Sequence, residues 1–170
     1  MRTFLDCIPC FVKQTLRAGR LVTDDENEIK ALLDRVGSRI NDITLDHTPP
    51  EMGLIIYEEI RKISGIDDPY SKEKAQHIAE AKRLYPTMVR RRDMSGDPLL
   101  TAIRIAIAGN VIDMGMDKDF HIEKDMEHIL EQEFALCDIE EFRHVLGRAK
   151  QVLYLGDNAG ESVFDRVLIE

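Results

Sequence analysis

The sequence predicts a mostly α protein, a multi-helical N-terminal domain over residues 1–150 followed over 151–170 by the first β-α unit of an incomplete α/β domain. Three observations carry this expectation. Apolar residues recur at helical spacing through the first 150 positions. Acid-Pro pairs and glycines punctuate the stretches at the places where helices start and stop. One short apolar run, Val152-Leu153-Tyr154-Leu155, ends at Gly156 and has the composition of a strand covered on both faces of a parallel sheet.

Taken in order, a first helix spans about 8–21, with Phe11, Val12, Thr15 and Leu16 on one side. Asp24 and Asp25 offer N-caps to a second, in which Ile29, Leu32, Leu33, Val36 and Ile40 share a face. Pro49-Pro50 opens a third through Met52, Leu54, Ile55, Ile56 and Ile60, and Gly65 ends it. Asp67-Asp68-Pro69-Tyr70 starts a fourth, through Ala75, Ile78 and Ala81 to a break near Pro86. Asp97-Pro98 starts a fifth over 99–108, apolar almost all round except for Thr101 and Arg104, and so expected to be central and buried. Two amphipathic helices follow, over about 123–134 and 139–149. Beyond the strand, Val163, Phe164, Val167 and Leu168 form the stripe of a last helix with no visible sheet to cover. The chain stops at Glu170 without a cap, which predicts a truncated piece of a longer protein.

With 170 residues, 44% hydrophobic and 32% charged, the composition is that of a globular chain. A net charge of −9 argues against nucleic acid, whose binding rests on neutralising phosphates with Lys and Arg. The run Arg90-Arg91-Arg92, with Lys82 and Arg83 before it, reads either as a solvated helix face or as a small anion-attracting patch. No apolar run approaches the roughly 20 residues that cross a bilayer, and the start Met1-Arg2-Thr3-Phe4-Leu5-Asp6 lacks the apolar core of a signal peptide. The expected location is the cytoplasm. Three cysteines, an odd number, argue against a disulfide framework.

Three constellations could carry chemistry. Asp157-Asn158-Ala159-Gly160-Glu161 follows the predicted strand, where ligands bind in open α/β sheets. Asp157 and Asn158 offer hard oxygen ligands of the type Mg²⁺ takes, and the free N–H groups of the next helix favour an anion such as phosphate. The alternative is that Asp157 or Asn158 caps that helix. Gly109-Asn110-Val111-Ile112-Asp113 follows the most apolar helix, so Asp113 is either a buried hydrogen-bond hub or part of a site lining. Cys7-Ile8-Pro9-Cys10 is a lone C-x-x-C, open to structural, metal, redox or substrate-facing roles, since no second pair completes a zinc site. Cys137 reads as a buried residue, and the five histidines are given no role.

Together these stretches resemble the damage-control phosphatase family, also called acidic-residue-methyltransferase-like and formerly a family of unknown function. The resemblance runs along essentially the whole chain. It rests on Cys7-x-x-Cys10 as in the prokaryotic subgroup, Asp68-Pro69-Tyr70 with Lys74, Asp97-Pro98-Leu99, Gly109-Asn110-x-x-Asp113 and Asp157-Asn158-Ala159-Gly160-Glu161. It implies a helical part joined to a three-layer α/β part. It implies a phosphatase that uses Mg²⁺, Mn²⁺, Co²⁺ or Ni²⁺ on small phosphorylated metabolites such as sugar phosphates.

By the same resemblance Asp157 and Asn158 match two of three metal ligands, and Asn110 and Asp113 match positions near the cleft. Glu161 is expected beside the metal or its waters. The third ligand of the family, an Asp on a later strand, and a later phosphate-holding basic motif have no counterpart here, so the chain alone is expected to be inactive or nearly so. Methyltransferase activity has no support, because no Gly-rich nucleoside loop follows a strand. Two other classes stand beside the phosphatase: a helical binding or adaptor module, and a thiol-based metal or redox module built on Cys7 and Cys10. The exposed edge of the 152–155 strand is expected to allow self-association.

Overall fold

Eight helices make up the regular structure of the described residues. The computed structural model describes residues 2–114 and 122–170, without the side chains of 111–114 and 122–126. Contacts divide the chain into two units, Met1–Lys72 and Glu73–Glu170.

The first unit packs α1 (Cys7–Val22), α2 (Glu26–Ile40) and α3 (Pro49–Ser64) against one another. The second and third helices start where the sequence supplies a cap. Asp25 accepts a bond from the Asn27 amide at 2.8 Å, so of the two candidate acids it is the second that caps. Thr48 and Glu51 form a reciprocal capping box, with Pro at the head of the helix. The helix closes at Gly65, whose φ of 68° lies in the left-handed region. Phe11, Ala18, Leu32, Val36, Met52, Ile56 and Ile60 form the shared core, and each large side chain buried this way contributes about 1.5–3 kcal/mol. The N-terminal segment is tied down by Thr3, whose amide and hydroxyl donate to the His47 carbonyl at 2.9 and 2.6 Å.

In the second unit, α4 (Ser71–Asp93) continues through Pro86, where the sequence predicts a break. The proline costs about 3 kcal/mol in a helix interior. Ala81, Leu84 and Met88 on both sides of it are buried in one cluster and offset that cost. Likewise α5 (Pro98–Met114) runs past 108 and carries Gly109 and Asn110 as helical residues. Asp97 heads it, its carboxylate accepting from the Leu100 amide at 3.1 Å. After α6 (Ile122–Glu131) and α7 (Ile139–Leu146), the chain ends in α8 (Glu161–Ile169). Arg104 of α5 closes the C-terminal turn of α6, donating to the carbonyls of Leu130, at 2.7 Å, and Gln132.

The predicted strand over 152–155 does not form: residues 151–158 have no regular secondary structure. A strand is held by ladder bonds to a neighbour, and the described residues contain no strand. Leu153 and Leu155 are accordingly 84% and 85% exposed. The α8 stripe, for which the sequence offers no cover, packs chiefly on α5. Phe164 and Val167 join Ile105 and Ala108 of α5 and Leu84 and Met88 of α4 in one cluster. The crossing of α5 and α8 explains Gly109, where a Cβ would stand 2.8 Å from the Phe164 Cβ and Cδ2. No helix of the described residues is long and apolar enough to cross a membrane.

Candidate functional site

The packing of α8 on α5 brings two of the sequence-predicted stretches together. At the polar end of α5, one residue beyond the Gly109 contact, Asn110 donates its side-chain amide to Glu161 Oε2 at 3.0 Å. The same oxygen accepts the side-chain amide of Asn158 at 3.1 Å and the Asn158 backbone N–H at 3.3 Å. One carboxylate oxygen at the head of α8 thus gathers three N–H groups from two stretches 48 residues or more apart in sequence (110 to 158). With its amide nitrogen committed to Glu161, Asn158 keeps its amide oxygen as an acceptor.

Neither Asp157 nor Asn158 caps α8. The N-cap is Gly160, with no side-chain cap bond. The turn passes close to α4 at this glycine, since a Cβ there would lie 3.2 Å from the His77 Cβ. Asp157 is exposed and takes no part in the Glu161 cluster. The side chain of Asp113, the remaining predicted site residue, lies outside the described residues; its backbone belongs to the last turn of α5.

One turn further along α8, Asp165 is 4% exposed and accepts the Tyr154 hydroxyl at 2.6 Å. Burial, and then the negative Glu161, raise the Asp165 carboxyl above the ordinary carboxylate range, with the Tyr154 bond working in the opposite direction. Burial and the Asp165 bond likewise push the Tyr154 phenol up. Asn110, Tyr154, Glu161 and Asp165 face a cleft of about 380 Å³ whose apolar wall includes Ile103 and Leu168. The sequence reading passed over Tyr154 and Asp165. A signal for the second was present, because Asp165 lies inside the apolar stripe of Val163, Phe164, Val167 and Leu168, where a carboxylate is out of place.

The other sequence-predicted features are not among the residues that line this cleft. Cys10 is exposed and Cys7 partly buried, and the two sit in the first turn of α1. The Phe4 amide donates to Cys7 Sγ at 3.4 Å and the Gln14 side chain to Cys10 Sγ at 3.7 Å. Cys137 is exposed rather than buried. It borders an apolar groove with Leu100, Phe134 and Phe142, because the segment between α6 and α7 leaves it outside the cluster that α5 and α8 share. Within the arginine run, Arg92 serves the fold by donating to the Val167 carbonyl in the last turn of α8 at 2.8 Å, and Arg83 pairs with Glu80 at 2.7 Å.

Among the described residues no group of three or more His, Cys, Asp or Glu side chains could hold a metal ion. By donor type, Asp157 and Asn158 fit a hard cation. Mg²⁺ commonly takes only one or two protein carboxylates and completes its shell with water and phosphate oxygens.

Comparison with known proteins agrees with the sequence reading. The family model for the damage-control phosphatase ARMT1-like domain matches residues 3–170. An uncharacterized protein of Methanocaldococcus jannaschii is 35% identical over 97% of this chain and 56% of its own length. A damage-control phosphatase of Pyrococcus horikoshii is 27% identical over 100% of this chain and 59% of its own length. One of Archaeoglobus fulgidus is 28% identical over 96% of this chain and 58% of its own length. In three dimensions the chain is similar to the crystal structure of a DUF89 family protein from Pyrococcus horikoshii. The TM-score is 0.85 at 27% identity, covering 99% of this chain and 59% of that one. The chain therefore spans under three-fifths of the length of these relatives. It belongs to the damage-control phosphatase ARMT1-like domain family.

Proposed function

We propose that this chain supplies part of the site of a metal-dependent phosphatase acting on small phosphorylated metabolites, sugar phosphates among them, with Mg²⁺, Mn²⁺, Co²⁺ or Ni²⁺. The family name supports the phosphatase class. The observation that carries the assignment to particular residues is the triple acceptance at Glu161 Oε2, which fixes Asn158 next to Asp157 at the head of a helix.

In this reading Asp157 and Asn158 are the metal ligands, through a carboxylate and an amide oxygen. Asn110 and Glu161 hold Asn158 in place, so that its amide oxygen meets a cation with little reorganisation. Asp113 is assigned to the same end of α5. A divalent cation bound there supplies charge compensation for phosphoryl oxygens and a water of lowered pKa. The Asp157-Asn158 turn precedes the N-terminus of α8, whose partial positive charge favours a nearby anion. The net charge of −9 supports a small anion held through a metal rather than a nucleic acid. The exposed Val152, Leu153 and Leu155 support pairing of that segment with a further strand, including one from a second copy.

Titration of the chain with Mn²⁺, followed by electron paramagnetic resonance, tests the assignment. Asp157→Ala is expected to weaken binding roughly 10-fold or more, and a sugar phosphate is expected to tighten binding in the parent chain only. Mn²⁺ affinity that is the same in both proteins would overturn the reading.

A further inference from the structure

We infer that Tyr154 and Asp165 form a latch that positions the Asp157-Asn158 turn on α8. Residues 151–158 lie outside the regular secondary structure of the described residues, and Val152, Leu153 and Leu155 are exposed. Two side-chain anchors nevertheless reach α8 from this segment. Asn158 is held by Glu161, and Tyr154 donates its hydroxyl to Asp165 at 2.6 Å. The anchors bracket Asp157, three residues before it and one after it.

Their partners, Glu161 and Asp165, are one helical turn apart at i and i+4 and so share a face of α8. Asp165 is buried among apolar neighbours that include Phe164 and Val167, 1% and 0% exposed. An apolar side chain would suit such a position better for stability alone. A carboxylate there provides what an apolar residue cannot, a fixed acceptor for the one hydroxyl that ties the segment down. Tyr154 and Asp165 are in this sense positioning residues.

The functional meaning of the latch rests on the proposed metal role of Asp157 and Asn158, whereas its existence can be tested without metal. Hydrogen exchange of the Asn158 amide, which donates to Glu161, read by NMR on the metal-free chain, reports the anchoring directly, and Mn²⁺ affinity reports its consequence. Tyr154→Phe keeps the ring and removes only the hydroxyl. Asp165→Leu removes the acceptor, and Asp165→Asn keeps one. Tyr154→Phe and Asp165→Leu are expected to speed exchange of the Asn158 amide about three- to tenfold, the size of one net hydrogen bond, and to weaken Mn²⁺ binding by a similar factor. Asp165→Asn is expected to behave like the parent.

Unchanged exchange in Tyr154→Phe would overturn the latch. So would equal acceleration throughout α5 and α8, which marks general loosening. Failure of Asp165→Asn to match the parent would also overturn it, since that outcome assigns Asp165 a role that needs its charge. If exchange responds as expected while Mn²⁺ affinity is indifferent to Asp157→Ala, the latch stands and the metal reading alone falls.

Discussion

Glu59 in the first unit and Asp165 in the second are both buried carboxylates, 7% and 4% exposed, and their surroundings differ in sign. Glu59 receives two cations, Arg35 at 3.1 Å and Lys62 at 3.1 Å, drawn from α2 and from its own helix. Asp165 receives a neutral phenol and has another carboxylate, Glu161, one turn away. A buried charge matched by cations is a packing solution. A buried charge set beside a second carboxylate raises its own proton affinity and is a poor solution for stability. The three-helix unit thus uses its buried acid to join helices, while the α5–α8 unit uses its acids to hold a loop over a cleft.

The largest expected effect concerns the platform beneath that cleft. Phe164→Ala is expected to cost about 3–5 kcal/mol in denaturant unfolding, because its ring fills the α5–α8 contact. Gly109→Ala is expected to cost about 1–3 kcal/mol by overpacking against the same side chain, and to cost less once Phe164 is already Ala, since the ring contacts go while the Cβ contact remains. Additive losses in the double variant would show that the two do not meet.

A smaller effect separates the two acids. Arg35→Ala is expected to destabilise by about 1 kcal/mol, modest because the arginine is 57% exposed and Lys62 remains beside Glu59. Asp165→Asn is expected at pH 7 to be neutral or slightly stabilising, within about 1 kcal/mol, since it removes a buried charge and keeps an acceptor. A loss in Asp165→Asn as large as that in Arg35→Ala would erase the distinction.

The smallest effect lies in the pH dependence. The folded state of Asp165 holds its proton to higher pH than the unfolded chain, whose carboxyls titrate near about 3.9. Its contribution is therefore present below that value and lost as pH rises through the raised folded value. Asp97 is the opposite case. The Leu100 amide and then Arg143 lower its carboxyl, so its contribution is present above about 3.9 and lost as pH falls through the lowered folded value. Thermal unfolding across pH 2–7 is expected to show Asp97→Ala approaching the parent at the acid end. Asp165→Asn is expected to gain on the parent as pH rises from about 4. Parallel curves for both variants would contradict the assigned directions.

Most helices were legible in the sequence because their signals are local. Asp25, Pro49-Pro50, Gly65 and Asp97 act within a few residues of themselves and mark ends without help from the rest of the chain. The Asp157-Asn158 turn and Asn110 were legible as residue types with a familial spacing, and the family assignment followed from them. Pro86 and the 152–155 run misled for one shared reason. Each carries a local preference that longer-range partners override or fail to supply. Buried neighbours on both sides hold the helix through Pro86, and a run of strand formers stays irregular where the described residues place no strand beside it. Tyr154 and Asp165 escaped notice because they meet across 11 residues only when α8 forms.

By itself the sequence determined the order of helices, their caps, the family and the hard-oxygen character of the turn, all properties of neighbouring residues or of matched motifs. The tertiary structure alone decided that Glu161 joins Asn110 to Asn158 and that Asp165 receives Tyr154. Those contacts exist because Gly109 admits the Phe164 ring and lets α8 settle on α5, a close approach that no spacing along the chain encodes.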